Sequence, residues 1–383
     1  MLYCRLATAT QIGTVFIARG VGAVFGAIFS SKLYMWFHGT HVMAYSLLLI
    51  MIVLITLPFN QSKEMLHVYF MLLGLGTSVT DTGCQIMTRK IHGKDAGPWL
   101  GCNTVLFGIA GALVPMIEIF TTSVLYQYFI LATIVAIVAI MIIVGPNPES
   151  GKLICGSSSN NMRSDESRPA VLHYYVEIVI SIMVFCFIGG KVTTTAYLST
   201  YVLQTGLLST HQGSVLILVL WLSITVGRLA GVQDQRYLTN KTLPIHLSVL
   251  CVGGFLSMLL IMRFPQGRNS LWIGFAFYGL FNGPCVGYCY DLNNRITYPT
   301  EISMSIVMFG LNFGAAFVPY ITTLIWNQGA GPQALIITTL LSMAIPLPLL
   351  WTTKFLSYDP AVNPLIRNGY QSISDKPIDD TIL

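Results

Sequence analysis

An aspartate inside an otherwise lipid-compatible stretch is the first residue that could do chemistry. Asp81 lies in "GLGTSVTDTGCQIMTRK", Gly74 to Lys90, where Leu66 to Val79 is almost wholly apolar or small. Arg89 and Lys90 close that stretch with charge, so Asp81 sits about 8 residues, or ~12 Å of helix rise, inside the boundary. A carboxylate at such depth in a bilayer costs roughly 2.5–3.5 kcal/mol on insertion scales, and it faces a partner or a cavity. Thr77, Ser78, Cys84, Gln85 and Thr88 share its helical face, whereas Leu72, Leu73, Val79 and Ile86 fall elsewhere. One polar stripe on an apolar helix suits a cavity wall that binds a coupling cation or a hydroxyl group. The competing reading is a buried ion pair. Arg19 would pair with Asp81 inside one half of the chain and be structural; Lys191 would bridge the halves and could break and re-form.

Lys191 belongs to "GGKVTTTAYLSTY", with the hydroxyls of Thr194, Thr195, Tyr197 and Ser199 nearby. Gly189 and Gly190 would permit local unwinding, although small residues also serve close helix contacts in membranes. Asn282 precedes Gly283 and Pro284, where a helix break is expected, and its amide offers both a donor and an acceptor to a hydroxyl-bearing ligand. Asn103 and Asn312 are further amides in apolar segments, suited to ligand binding or to interhelical hydrogen bonds. Trp221 could stack on a ligand face or pack in lipid. Asp291 and Glu177 fall near segment ends and are expected to snorkel or pair there. Catalysis finds no support. His38 and His41 lie in a loop, and there is no His/carboxylate cluster or Gly-x-Ser-x-Gly turn. Cys84, Cys102, Cys186, Cys251, Cys285 and Cys289 lack metal-ligand spacing and read as buried free thiols. Neither a catalytic residue, a metal site nor a cofactor is expected, beyond sodium or a proton as a coupling ion.

The elements that position these residues follow from composition. The 383-residue chain has mean hydropathy +0.70 and 9% charged residues, where a soluble protein carries about 25%. It reads as an all-α, multi-pass membrane protein whose solvent is the lipid bilayer. Net charge +5 is spread over short loops, so no nucleic-acid partner is expected. Eleven spans are predicted: Ala9–Ser31, Val42–Phe59, Leu66–Met87, Trp99–Ile119, Ser123–Val144, Tyr174–Val202, Gln212–Val232, Leu243–Met262, Ser270–Leu292, Glu301–Trp326 and Ala334–Trp351. The polar stretch at 145–172 is too hydrophilic to fold and separates a five-helix bundle, 1–144, from a six-helix bundle, 173–353. A cytoplasmic tail, 354–383, is expected to be disordered. No cleavable signal peptide is seen.

Fourteen of the twenty Lys and Arg residues, counting Arg228 and Arg236, fall on one side of these spans and four on the other. The positive-inside rule then places the N-terminus outside and the C-terminus in the cytoplasm. The halves repeat. "AGALVPMI" from Ala110 matches "GAAFVPYI" from Gly314, and "GLGTSV" from Gly74 matches "GLFNGP" from Gly279. "FSSK" ending at Lys32 matches "VQDQR" ending at Arg236, so all three pairs share an offset of 204 or 205. Two parallel helical repeats are expected. The sixth span has no earlier counterpart at this offset, from which a twelve-helix ancestor that lost its first helix is inferred.

These residues resemble the major facilitator superfamily from its second helix onward. "GAIFSSK" and "GRLAGVQDQR" are similar to its G-x-x-x-D-R gating loop, which ties neighbouring helices on the cytoplasmic side; Arg228, Asp234 and Arg236 would be its members, while Ser30 replaces the usual acid. "GLGTSVTDTGCQ" resembles the G-x-x-x-x-[E/D]-T-x-x-N stretch of the sugar branch that contains fucose permeases and animal sodium-dependent glucose transporters. Asp81 holds the acidic position there and Gln85 replaces asparagine. "NTVLFGIAGALVPMI" resembles the small-residue-rich helix that follows. The resemblance implies a major facilitator fold in which helices 1, 4, 7 and 10 of twelve line a cavity.

The expected function is alternating-access transport of a small polyhydroxylated solute, a hexose such as glucose, coupled to sodium or protons. Asp81, Gln85, Asn103, Lys191, Thr195, Trp221, Asn282 and Asn312 would bind solute. The alternative is a non-transporting membrane partner or regulatory isoform. Thr381-Ile382-Leu383 suits capture by a PDZ module, and "YQSI" resembles an endocytic signal. The plasma membrane is the expected location. The Asn60-Gln61-Ser62 sequon hugs a span, so its glycosylation is not expected.

Overall fold

The computed structural model describes residues 9–92, 96–121, 123–145, 174–235, 237–239, 241–296 and 301–357. The linker from 146, Arg236 and the tail from 358, with its PDZ-type and endocytic patterns, lie outside the described residues.

Every predicted span is helical. The order is α1 (Ala9–Trp36), α2 (Gly39–Thr56), a 3-10 turn (Leu57–Phe59), α3 (Lys63–His92), α4 (Ala96–Phe120) and α5 (Val124–Val144). The second half follows as α6 (Tyr174–Thr205), α7 (Thr210–Asp234), α8 (Thr242–Arg263), α9 (Arg268–Ile296), α10 (Glu301–Ile325), α11 (Gln333–Ala344) and α12 (Pro346–Ser357). The last predicted span is split at Pro346, which cannot donate to the preceding turn. A five-residue turn, Trp326–Ala330, joins α10 to α11. Gly329 and Gly331 there take φ of 113° and 54°, a region that side-chain-bearing residues disfavour. Ser209 opens α7 with a reciprocal capping box to Gln212.

Two expected interruptions are absent. The backbone of α9 stays helical through Asn282, Gly283 and Pro284, and that of α6 through Gly189 and Gly190. These glycines instead let helices approach. Gly283 lies against the Ile224 carbonyl of α7, Gly189 against Val318 of α10, and Gly190 against Ser342 of α11 and the Tyr278 hydroxyl of α9. Close packing holds the helix straight where the sequence pattern suggested a break.

The halves share one packing plan. In the first, α1 crosses α3 and α2 packs on α5; in the second, α7 crosses α9 and α8 packs on α11. The crossing glycines are repeat-related. Gly22 and Gly227, Gly26 and Gly231, Gly74 and Gly279 stand 205 positions apart, and each faces the partner helix with no room for a Cβ. Contact between the halves runs along two seams, α1 with α10 and α4 with α7. Gly13 and Gly20 fit against Thr323 and Ala316 in the first seam, and Gly101, Gly108 and Gly111 against Val232, Thr225 and Trp221 in the second. Lipid tails give no hydrophobic reward for association, so small residues that bring backbones together supply the attraction.

Among the described residues, nine helices are apolar and long enough to cross a bilayer, and α3 and α9 are not among them. They occupy equivalent places in the two halves. They also carry Asp81, Asn282 and Asp291.

Candidate functional site

On α3, the Asp81 side chain is exposed on the surface of its own half and close enough to Tyr290 of α9 for the two groups to act on one another electrostatically. The carboxylate therefore faces the second half from the first. Neither expected ion pair forms. No nitrogen of Arg19 or Lys191 lies within 4.0 Å of Asp81, whereas His246 and Asp234 stand 3.9 Å apart. Arg19 packs its backbone carbonyl against Gly74 of α3. The hydroxyls on the α3 stripe close onto their own helix. Thr77 donates to Leu73, Thr82 to Ser78 and Thr88 to Cys84, at 2.8, 2.9 and 2.6 Å. They satisfy themselves locally while Asp81 does not. Gln85 is half-buried beside them.

The second half presents a different environment. Lys191 is 2% exposed, and its Nζ has no hydrogen-bond partner. Its charged and titratable neighbours are Arg228 of α7 and Cys285 of α9. Asn282 is fully buried. Its Nδ2 donates to the Phe187 carbonyl at 3.4 Å and to Met343 Sδ at 3.3 Å, and its Oδ1 has no partner. A buried polar atom without a partner costs roughly 1–3 kcal/mol, so such atoms mark strain or a missing ligand. Thr195 donates to the Lys191 carbonyl at 3.0 Å, and Thr194 meets Thr339 of α11 at 3.1 Å.

Arg228 differs most from expectation. It is not a loop residue tying neighbours within one bundle, but is buried inside α7, where it also leaves the tally of loop cations. Its Nη1 donates to the Thr104 carbonyl of α4 at 2.5 Å, and its guanidinium lies 5.1 Å from the Phe107 ring centre. A charge-assisted bond and a cation–π contact thus cross the α4/α7 seam. Asp234 lies 3.9 Å from His246 of α8. Arg236 is outside the described residues.

The remaining candidates scatter. Trp221 is packed against Gly111 in the seam, with its ring 6.2 Å from that of Phe107. Asn312 donates to the Met308 carbonyl of its own helix at 3.1 Å, near the α1/α10 seam. Asn103 is half-buried on α4. Cys102, expected to be buried, is exposed.

A family model described as Major Facilitator Superfamily matches residues 6–319, most of the chain. The chain belongs to the Major Facilitator Superfamily. Sodium-dependent glucose transporter 1 of Xenopus laevis is 20% identical to this superfamily member over 340 residues, covering 82% of the chain and 68% of that protein. Among solved structures, a D-xylose-proton symporter superposes with a TM-score of 0.66 at 13% identity, covering 88% of this chain and 87% of the other. The likeness establishes the fold; the family match, with the long apolar helices, makes this a multi-pass membrane protein. The roles that sequence reasoning missed belong to Tyr290 and to Arg228 as a crossing residue. The repeat held a signal for the first, because Tyr290 stands 205 positions after Gln85 on the Asp81 face.

Proposed function

We propose that this superfamily member carries a small polyhydroxylated solute, a hexose such as glucose, across the plasma membrane by rocking one half against the other. One observation carries the reading: Asp81 is exposed, free of Arg19 and turned toward Tyr290 of the opposite half. A structural carboxylate would be paired inside its own half. A carboxylate facing the second half can exchange a sodium ion or proton as the halves move. The names of the compared proteins, a sodium-dependent glucose transporter and a xylose–proton symporter, support a sugar as solute and either ion as driver. Selectivity would come from amides and hydroxyls matched to sugar hydroxyls, since a mismatched buried group loses roughly 1–3 kcal/mol.

The test is uptake of labelled glucose into proteoliposomes holding the full chain, under imposed sodium or proton gradients. Uptake above empty vesicles is expected, with the gradient-driven component lost in Asp81→Asn. Rates equal to empty vesicles for several sugars, with the protein folded, would remove the proposal.

A further inference from the structure

Two cations meet in the second half, and among the described residues no carboxylate acts on either. Lys191 and Arg228 are within electrostatic range of each other, buried to 2% and 9% exposure. Arg228 is satisfied by a carbonyl and an aromatic face, neither of which carries a net negative charge. Lys191 Nζ has nothing. Asp234 approaches His246, and Asp234 and Asp291 act on Tyr288. Asp81 acts on Tyr290 and Cys84, not on Lys191. A neutral amine at Lys191 would not resolve the arrangement. It would still lack a hydrogen-bond partner, and a guanidinium keeps its charge at any physiological pH.

We propose that Lys191 and Arg228 form an anion site, and that the solute supplying the anion is a sugar acid with one carboxylate. The carboxylate would lie between Nζ and the guanidinium, which has donors to spare beyond the one given to Thr104. Asn282, on α9 within a helical turn of Cys285, offers its unpartnered Oδ1 to a sugar hydroxyl. Because Arg228 also holds the α4/α7 seam, an anion that draws on it couples solute charge to contact between the halves. The inference rests on the sugar-carrier reading and specifies its substrate class.

The experiment uses the purified full chain in chloride-free buffer, with thermal stabilisation by glucuronate, glucose, and glucose plus chloride. Half-saturation by glucuronate at a concentration about tenfold below that of glucose is expected, in keeping with a charge-assisted pair. Lys191→Gln should bring glucuronate to the level of glucose, and Lys191→Arg should keep the preference. Equal responses to glucuronate and glucose would overturn the inference while leaving hexose transport standing. So would chloride conferring the full effect on glucose, which would assign the charge to a free ion. Should Lys191→Gln fail to fold, the unsubstituted chain with its three ligand conditions decides alone. Absence of any sugar response, together with uptake at the level of empty vesicles, would remove both readings.

Discussion

The two halves share a plan but not a centre. In the second half α6 is the hub, packing on α7, α9, α10 and α11, with Ile180, Met183, Val184, Phe187 and Leu198 wholly buried. One continuous core runs from Val176 to Leu350 around it. The first half holds two small clusters instead, one at Tyr34, Val42 and Val79 and one at Leu47, Ile50 and Ala139. The strip of α4 that the repeat aligns with the α6-facing strip of α10 includes Leu106, which is 56% exposed, whereas its counterpart Gly310 is pressed against Ser181 of α6. A soluble protein could not tolerate that difference. In a bilayer the lipid tails are as apolar as leucine, so a sparsely packed half pays little for it.

The largest test of this contrast is Phe187→Ala, which should cost about 3–5 kcal/mol through lost burial and an unfilled cavity. Ile137→Ala on α5, 52% exposed, should cost about 0.5 kcal/mol or less. Unfolding of both variants in mixed micelles compares them, and equal losses would erase the distinction between halves. The shared plan is tested next by Gly22→Leu and Gly227→Leu. Each forces a side chain into a partner backbone and should destabilise by ~3 kcal/mol, with similar values in both halves. A large disparity would break the repeat as a packing rule.

Arg228→Met should weaken the α4/α7 seam by ~2 kcal/mol, because it removes the charge-assisted bond to Thr104. Cross-linking between cysteines introduced as Gly101→Cys and Val232→Cys reads this directly; the yield should fall several-fold when Arg228 is lost. The smallest effect belongs to His246→Ala. Its pair with Asp234 is partly exposed at 3.9 Å, so the loss should stay below about 1 kcal/mol. A larger loss would make the α7/α8 end a structural clamp.

Much of this architecture was legible in the residues. Repeats around Gly74 and Gly279 foretold helices that cross their neighbours in the same way. The site was legible only in part. Asp81 announced itself because a lone acid in an apolar stretch has few explanations. The proline and glycines of α9 misled, since a helix break and a tight helix crossing use the same residues; only neighbouring α7 distinguishes them. Arg228 misled for a similar reason, as its distance from Asp234 fits a gating loop equally well until its bond to Thr104 of the other half is seen.

The helical character of each segment and the internal repeat were determined by sequence alone, because lipid forces each segment to satisfy its own backbone and so makes its structure local. Tertiary structure decided where the polar groups go: Asp81 toward the opposite half, Asn282 among buried side chains of the second half, Arg228 across the seam. A side chain's direction on a helix is fixed by its turn, but what it meets depends on helices a hundred or more residues away.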